Sequence, residues 1–399
     1  SHAGVEAIAV AALARIPDPL LVLNGDGRVA TANPAAAELF GKALSGRHIS
    51  AVIRNPTVLE AVLEVLNGTA RRAVDYEEKV PVERAMRAYA IGFHLERSDN
   101  GSNAKAERHV LIGIRDLTDM KRAEQTRADF VAHASHELRT PLSSLAGFIE
   151  TLRGHAKEDD SAREQFLEIM QQQAERMGRL IRDLLSLSRI EMNEHVLPEA
   201  SVDLAGVVND VADSLAQMAN DAGTTLQLSV NGEPQHRIPN NAVDLVIGDR
   251  DELVQIVQNL VDNAIKYGRR GGTVHIDLGT ADSALDAKVD AAGYSIRRAA
   301  FPATGASYVS VRDEGDGIPR DQLPRLTERF YRIDVKRSRE SGGTGLGLAI
   351  VKHIVNRHRG WLTIESESGR GSTFTVYVPR RPKSDDSPAL NPQKQPEHV

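Results

Sequence analysis

The chain has 399 residues, a net charge of −6 at pH 7, a pI near 6.1 and no cysteine. This length predicts two to four domains, because single hydrophobic cores stop growing near about 250 to 300 residues. The charge gives no basic surface for nucleic acid, the lack of cysteine excludes disulfides and thiolate metal sites, and no apolar run reaches the roughly 18 to 20 residues that span a bilayer.

The first 116 residues have the pattern of a small mixed domain. Residues 19–23 and 28–33 read as strands joined by the glycine-rich turn 24–27, which predicts a hairpin. Helices are predicted at 34–40 and 56–66, and a closing pair of strands at 89–97 and 109–117. The polar stretch 98–107 between these strands is predicted to be a loop. This order, with N-P-A-A-A-E-L-F-G after the second strand and D-L-T before a charged helix, resembles a PAS sensor domain. No ligand signature is evident, so a ligand-free spacer and a ligand-binding domain both stay open.

Residues 117–128 are highly charged with sparse apolar positions, which predicts an exposed coiled-coil linker. It runs into the stretch F-V-A-H-A-S-H-E-L-R-T-P, at the start of a helical hairpin over residues 129–195. An apolar stripe recurs there at three- and four-residue steps. Its members are Phe130, Ala134, Leu138, Pro141, Leu145, Phe148 and Leu152.

His136 lies about 200° round the helix from that stripe, so its imidazole is predicted to face solvent with a pKa near neutrality. Glu137 could accept a hydrogen bond from one ring nitrogen and leave the other as a nucleophile, and Thr140 lies one turn on. Pro141 predicts a bend beside them. The same residues come within one position of the zinc-protease motif H-E-x-x-H, but Thr140 replaces the second histidine, so the metal interpretation fails.

The second helix of the hairpin follows a polar turn at 154–161 and carries a heptad seam. Its members are Phe166, Ile169, Gln173, Met177, Leu180, Leu184 and Leu187. Two helices with one stripe each cannot bury those stripes alone, which predicts a symmetric dimer with a four-helix bundle.

Residues 196–380 alternate between strands and helices, which predicts an α/β layer of helices over a sheet. Helices are predicted at 205–222 and 251–267. Strands are predicted at 202–204, 225–230, 243–247, 273–278, 308–312, 361–366 and 372–378. The tail 381–399 is rich in Pro, Ser, Asp and Gln and is predicted to be disordered.

Three short polar runs lie in this last domain. Asn259, Asn263 and Lys266 share one helix face, opposite Val254, Val257 and Val261, and could meet a hard cation and phosphates. The run D-E-G-D-G-I at 313–318 places a carboxylate at a strand end, where it could accept from an adenine amino group. The run G-G-T-G-L-G-L at 342–348 opens a helix whose free N–H groups attract phosphate. The glycine run matches neither the Walker nor the Rossmann pattern.

Together and in this order, H-E-L-R-T-P-L, N-L-V-D-N-A-I-K-Y, D-E-G-D-G-I, E-R-F-Y-R and G-T-G-L-G-L resemble the motif boxes of bacterial sensor histidine kinases over nearly the whole chain. The sequence around the histidine and the run R-M-G-R-L-I-R-D-L-L-S-L-S-R-I-E in the second helix are similar to those of PhoR-type phosphate-regulation sensors. The resemblance implies a multidomain fold: a PAS-like α+β domain, a dimeric antiparallel four-helix bundle and an α/β sandwich ATP-binding domain of the GHKL (Bergerat) type.

The resemblance also implies roles. His136 would be phosphorylated by ATP, Glu137 would be its acid and base helper, and Thr140 would orient water in a reverse phosphatase reaction. Asn263 matches the magnesium ligand and Asp313 the adenine-binding aspartate. The other residues implied to surround the nucleotide are Asn259, Lys266, Tyr267, Gly315, Gly317, Arg332, Gly343, Thr344, Gly345, Leu346, Gly347 and Thr373. Of these, Lys266 and Arg332 are candidates for the γ-phosphate, and 330–343 for a lid.

The implied ligands are ATP and Mg²⁺, and the implied partners are a second copy of the chain and a PhoB-like response-regulator receiver domain. The implied location is the cytoplasmic portion of an inner-membrane-anchored protein whose membrane segments are absent from this sequence. A scaffold or phosphatase with a silent kinase is one alternative. An ATPase of the same fold is another, but Asn259 stands where such ATPases carry a glutamate base, and an amide cannot take a proton from water. Residues 279–306 are longer than the usual hairpin and are predicted to be a surface loop or a contact site.

Overall fold

A computed structural model describes residues 11–78, 83–96, 106–154, 159–283, 293–297, 300–334 and 343–382. Contacts divide the chain into two compact units, residues 1–132 and 133–399. Most of the predicted 98–107 loop and of the predicted 381–399 tail lies outside the described residues. Within the described residues, no helix combines the length and apolarity that a membrane span requires.

The first unit contains a five-stranded antiparallel sheet in the order β2-β1-β5-β4-β3. Its strands are β1 (Leu20–Leu23), β2 (Val29–Ala32), β3 (Arg71–Glu78), β4 (Arg84–Glu96) and β5 (Ala106–Asp116), and its helices are α1 (Pro34–Phe40) and α2 (Pro56–Leu66). The predicted hairpin and both predicted helices are confirmed. Strand β3 was not predicted, because its sequence R-R-A-V-D-Y-E-E is polar and only Tyr76 is buried in it.

The start of helix α1 is fixed by Asn33, whose side chain is buried. Its Oδ1 accepts hydrogen bonds from the backbone N–H groups of Leu20 and Ala36, both at 2.9 Å. Pro34 follows at the first helical position, where its missing N–H costs nothing. The N-P-A-A-A motif therefore ties the end of β2 to β1 and starts the helix.

Helix α3 (Thr118–Arg153) is continuous, so the predicted linker and the first helix of the predicted bundle form one element. Helix α4 (Asp160–Asn193) is capped by Asp159, which accepts from the N–H of Ala162 at 3.0 Å. Every member of the two predicted stripes is buried or half-buried, and the rings of Phe148 and Phe166 lie 5.3 Å apart. Helix α3 runs through Pro141 without interruption, and a bend there stays a prediction.

The remaining residues form a mixed seven-stranded sheet with one layer of helices against it. The helices are α5 (Leu204–Asp221), α6 (Arg250–Tyr267) and α7 (Gly347–Arg357). The sheet order is β11-β13-β14-β12-β10-β7-β8, in which only β7 and β10 are parallel. The strands are β7 (Thr225–Val230), β8 (Glu233–Gln235), β10 (Thr273–Ala281), β11 (Tyr294–Arg297), β12 (Ala306–Arg312), β13 (Trp361–Glu367) and β14 (Gly371–Pro379), and β6 (Ser201–Val202) pairs separately with β9 (Val246–Ile247).

Three predicted segments in this domain need correction. The strand predicted at 243–247 is limited to Val246–Ile247. The strand predicted at 202–204 ends at Val202, because Asp203 caps α5 by accepting from the N–H of Ala205 at 3.0 Å. The segment 279–306, predicted as a surface loop or contact site, continues β10 and supplies β11 at the sheet edge. Phe301 packs edge-on against the buried Trp361, with ring centroids 4.5 Å apart, and Ala281 and Ala306 are buried in the same cluster, so these residues of the segment contribute to the core.

Candidate nucleotide-binding site

Helix α6 separates an apolar face from a polar one. Asp249 caps its N-terminus, and its buried face consists of Leu253, Ile256, Val257, Leu260, Val261, Ala264 and Ile265. Asn259, Asn263 and Lys266 are half-buried on the other side, as their spacing predicts. Val254, predicted on the apolar face, lines the same cavity as these polar residues, so that part of the prediction was wrong.

The polar face of α6 lines a cavity of about 820 Å³. Eleven of the predicted site residues line it: Asn259, Asn263, Lys266, Tyr267, Asp313, Gly317, Arg332, Gly343, Thr344, Gly345 and Gly347. Gly315, Leu346 and Thr373 are not among the lining residues, and neither are His136, Glu137 and Thr140 on helix α3. Three distant segments of the sequence are therefore brought to one cavity.

Asp313 follows β12 and is only 6% exposed. Its Oδ1 accepts from the N–H of Gly315 at 2.8 Å, and burial raises the pKa of its carboxyl group against the opposing effect of this bond. Gly315 is required sterically, because a Cβ there would lie 2.4 Å from the carbonyl oxygen of Tyr267. Gly317 has a φ of +67°, which favours glycine. The carboxyl group of Asp313 therefore belongs to the cavity lining on a turn whose shape Gly315 and Gly317 permit.

The support that Thr373 was predicted to give Asp313 comes from its neighbour. The backbone N–H of Asp313 donates to the carbonyl oxygen of Ser372 at 2.9 Å, and Ser372 lines the cavity. Thr373 pairs in register with Arg312 instead. A register one residue off cannot be recognised from the sequence of β14 alone.

Polar contacts fix the amide and the ammonium of α6. The Nδ2 of Asn259 donates to the carbonyl oxygen of Gln255 at 2.9 Å, and a Cβ at Gly347 would lie 2.7 Å from Asn259 Oδ1. Gly347 thus permits the close approach of the start of α7 to α6. Lys266 pairs with Asp262 across one turn, with Nζ and Oδ2 2.6 Å apart. The ammonium is held at the cavity wall.

The predicted lid is described at its two ends, since residues 335–342 lie outside the described ranges. Phe330 donates its N–H to the carbonyl oxygen of Gly345 at 2.8 Å, and Gly345 has a φ of +74° against the backbone of Phe330. Arg332 donates from Nη2 to the carbonyl oxygen of Thr344 at 2.9 Å. These contacts join both ends of the segment beside the glycine run.

Helix α4 forms a wall of the cavity that the sequence did not predict. Arg179, Arg182, Asp183 and Ser186 line it. Thr344 donates from Oγ1 to Asp183 Oδ2 at 2.7 Å, and Ser186 donates from Oγ to Gln255 Oε1 at 2.9 Å. Burial raises the pKa of the Asp183 carboxyl group, against the opposing effect of the Thr344 bond. The polar residues between the seam positions of α4 are the sequence feature from which this wall could have been predicted.

Arg332, which lines the cavity, contacts the residue next to His136. Glu137 Oε2 accepts from Arg332 Nη2 at 3.0 Å and from Arg176 Nη2 at 3.2 Å. His136 is exposed, and the hydroxyl of Thr140 donates to its carbonyl oxygen at 3.2 Å. Arg332 therefore links the residue beside the histidine to the glycine run.

Comparisons with known families match this architecture in three consecutive parts. Residues 9–117 match the PAS fold, 126–193 the His Kinase A (phospho-acceptor) domain, and 248–382 the histidine kinase-, DNA gyrase B- and HSP90-like ATPase family. A phospho-acceptor hairpin beside an ATP-binding domain defines a protein-histidine kinase.

Three individual proteins are similar in sequence to this chain over most of its length. The chain is 34% identical over 373 residues to the phosphate regulon sensor protein PhoR of Pseudomonas aeruginosa, covering 91% of this chain and 72% of that protein. It is 29% identical to the sensor histidine kinase WalK of Bacillus subtilis, covering 94% and 55% of the two chains. It is 35% identical to the sensor-like histidine kinase SenX3 of Mycolicibacterium smegmatis, covering 69% and 63%. The chain belongs to the sensor histidine kinases of two-component systems, and it spans between 55% and 72% of these relatives.

The donor groups in the cavity suit a nucleotide with a hard cation. No cluster of three or more His, Cys, Asp or Glu ligands occurs among the described residues, so a protein cage for a metal is not formed there. Mg²⁺ bound with a nucleotide needs few protein ligands, because phosphate oxygens and water complete its octahedron. The amide oxygen of Asn263 in the cavity wall is a ligand of the required kind.

Proposed function

We propose that the chain transfers the γ-phosphoryl group of ATP to His136 and then to an aspartate of a response-regulator receiver domain. The observation that carries this proposal is the bridge made by Arg332, which bonds Glu137 on one side and the glycine run on the other. A bond to each side fits a guanidinium that guides a phosphoryl group between them. The exposed imidazole of His136 is free of the apolar seam, as an acceptor requires.

In this mechanism, the lone pair of one imidazole nitrogen attacks the γ-phosphorus and the bond to the β–γ bridging oxygen breaks. That oxygen leaves with the electron pair as part of ADP. The imidazolium product loses its remaining ring proton to Glu137, which passes it to solvent. Lys266 and Arg332 offset the charge on the phosphate oxygens, and Mg²⁺ at Asn263 would neutralise part of the remainder. His136 lies outside the cavity lining, so the transfer requires its helix α3 and the cavity to come closer together.

The binding roles proposed for the cavity residues follow from their positions. Asp313 accepts from the adenine amino group, and Gly315 and Gly317 let the backbone approach the base. Thr140 orients water for the reverse phosphatase reaction. The proposed domain bounds are 1–116 for the PAS-like domain, 117–128 for the linker, 129–195 for the hairpin and 196–380 for the ATP-binding domain.

Dimerisation through the hairpin is part of the proposal. Large apolar side chains remain exposed on α3 and α4 beyond the seam within one chain. They include Leu142, Ile149, Leu167, Ile181 and Leu185. A second hairpin would cover them, because exposed apolar surface of this extent is unfavourable in water.

A PhoB-like regulator and phosphate regulation are the finer proposals, supported by the likeness to PhoR, while the WalK relatives offer a second regulator type for comparison. Anchoring in the inner membrane through segments outside this sequence is proposed on the same basis.

The decisive experiment is incubation of the wild type and a His136→Ala variant with γ-labelled ATP and Mg²⁺. Acid-labile, alkali-stable label on the wild type alone, followed by its loss to an added receiver domain, is the expected result. Equal labelling of both proteins would place the acceptor elsewhere. Free phosphate without protein label would favour the ATPase alternative, and ATP binding without label or hydrolysis would favour the scaffold.

A further inference from the structure

One face of helix α4 joins the acceptor end of the site to the nucleotide cavity. Arg176, Arg179, Asp183 and Ser186 recur on this face at steps of three and four residues. Arg176 bonds Glu137, and Asp183 bonds Thr344 at the glycine run. Arg179 lies between these two contacts along the helix.

The guanidinium of Arg179 reaches the cavity with an unmet hydrogen-bonding group. Arg179 lines the cavity, and its Nε is buried without a hydrogen-bond partner among the described residues. A buried charged donor without an acceptor is costly, and an anion at that place would satisfy it. The same is true of the Nε of Arg332, whose side chain is 6% exposed. Two guanidinium groups of the cavity wall therefore each hold an unpaired, buried N–H.

The protein's own carboxylates in this region already have partners. Glu137 accepts from Arg176 and Arg332, and Asp183 accepts from Thr344. The anion that fits the two Nε groups is thus a ligand group. Asp313, proposed for the adenine, and Arg332 both line the cavity, and Arg332 lies between Glu137 and Thr344 of the glycine run that is proposed to meet phosphates. Arg179 lies one helical turn before Asp183, which accepts from the same Thr344, so both arginines are beside the glycine run.

We propose that Arg179 of helix α4 binds the terminal phosphate of ATP together with Arg332. This inference rests on the proposed assignment of the cavity to ATP. Arg179 belongs to the hairpin, so the hairpin supplies a cation to the nucleotide as well as the acceptor histidine. A guanidinium offers several N–H groups in a fixed plane, which suits the oxygens of a phosphate. ADP lacks the terminal phosphate, so Arg179 favours ATP over the product.

The test compares Arg179→Ala and Arg179→Lys in the whole chain, with Arg189→Ala as a matched control. Arg189 is an exposed arginine on the same helix and is not among the residues that line the cavity. Dissociation constants for ADP and for a non-hydrolysable ATP analogue, both with Mg²⁺, are measured with the melting temperature. The initial rate of labelling by γ-labelled ATP is measured over a range of ATP concentrations.

Arg179→Ala is expected to weaken binding of the ATP analogue roughly tenfold or more while ADP binding changes less than about twofold. Arg179→Lys should recover part of the loss, and Arg189→Ala should match the wild type. Unchanged binding of the analogue by Arg179→Ala would overturn the proposal. So would an equal loss for both nucleotides with a lowered melting temperature, since that pattern belongs to a structural role. Absence of label on the wild type would contradict the proposed kinase function, whereas the ATP-to-ADP comparison would still decide the role of Arg179.

Discussion

The hydroxyl group of Thr344 donates a 2.7 Å hydrogen bond to Oδ2 of Asp183, which connects the glycine run to helix α4 inside the cavity. Burial raises the pKa of this carboxyl group, so its charged form is disfavoured even before a ligand arrives. A nucleotide brings several negative charges into the same cavity. If the cavity binds ATP as proposed, the charge of Asp183 should oppose that binding while its hydrogen bond connects the two elements.

Replacing Asp183 with asparagine should tighten ATP binding roughly three- to tenfold, because a partly screened repulsion between like charges is worth about 1 kcal/mol. Titration calorimetry of the whole chain measures this change. Thr344→Val is the matched variant, because it removes the hydrogen bond, which an asparagine at position 183 could still accept, and leaves the charge of Asp183 in place. Weaker binding by Asp183→Asn would mean that the contact, and not the charge, governs affinity.

The raised pKa of Asp183 also predicts a pH dependence. As pH falls, this carboxyl group gains its proton at a higher pH than an ordinary aspartate does, and its repulsion of the phosphates disappears. The affinity of the wild type should therefore rise relative to that of Asp183→Asn as pH is lowered from about 8 towards the raised pKa. The titration of the nucleotide is the same for both proteins, so the ratio of their dissociation constants isolates Asp183. A ratio independent of pH would contradict this prediction.

Lys266 should matter far more for binding than for folding. Lys266→Met removes an ammonium from the cavity and should weaken ATP binding roughly tenfold or more. Its ion pair with Asp262 spans one helical turn and is partly exposed, so the free energy of unfolding should fall by only about 0.5 kcal/mol. Asp262→Asn breaks the same pair but keeps the ammonium, and should bind ATP at least as well as the wild type. An equal loss of affinity in both variants would show that the pair, not the ammonium, is what the site needs.

Asp313→Asn should weaken the binding of adenine nucleotides roughly tenfold or more and reduce the preference for ATP over GTP. The reason is that a carboxylate only accepts hydrogen bonds, whereas an asparagine amide also carries a donor NH₂ group. The free energy of unfolding should not decrease, since burial already disfavours the charged carboxylate in the folded state. Competition binding with both nucleotides measures the preference. Glu314→Gln makes the same change of charge at the exposed neighbour and serves as the control. Equal losses for ATP and GTP would argue against contact with the base.

Phe301→Ala should lower the free energy of unfolding by about 2 to 3 kcal/mol, because the ring packs edge-on against the buried Trp361. Urea unfolding followed by tryptophan fluorescence reports directly on this contact, since Trp361 is the single tryptophan of the chain. ATP affinity should stay within about twofold, because Phe301 is outside the cavity lining. Leu197→Ala, which truncates an exposed side chain, should cost little by comparison. A loss for Phe301→Ala no greater than for this control would mean that the segment is a mere surface loop.

The sequence correctly predicted those parts of the molecule whose geometry is decided within one short segment. The polar face of α6 and the glycine run reach one cavity because each is a single turn or helix whose spacing decides its geometry. The two apolar stripes of the hairpin were found for the same reason. Whether the roles proposed for these residues hold stays a prediction.

The parts that were missed depend on how segments pair. The contribution of Ser372 depends on the register of β14 against the end of β12, which no local pattern records. In strand β3 only Val74 and Tyr76 pack on the core, and the polar residues around them hide the apolar alternation that indicates a strand. Arg179 and Asp183 lie between seam positions of α4, and a charged residue at such a position is usually exposed to solvent. Only the tertiary structure shows that both line the cavity.

The glycines around Asp313 bear on how natural and engineered variants should be interpreted. A Cβ at Gly371 would lie 2.1 Å from the carbonyl oxygen of Asp313, and one at Gly315 would lie 2.4 Å from that of Tyr267. Neither glycine lines the cavity. A saturation screen scored by signalling output would therefore rank both positions with His136, although their intolerance arises from main-chain crowding rather than from chemistry. Pairing such a screen with a measurement of folded protein abundance would separate the two kinds of position, since substitutions at His136 should abolish output while leaving abundance intact.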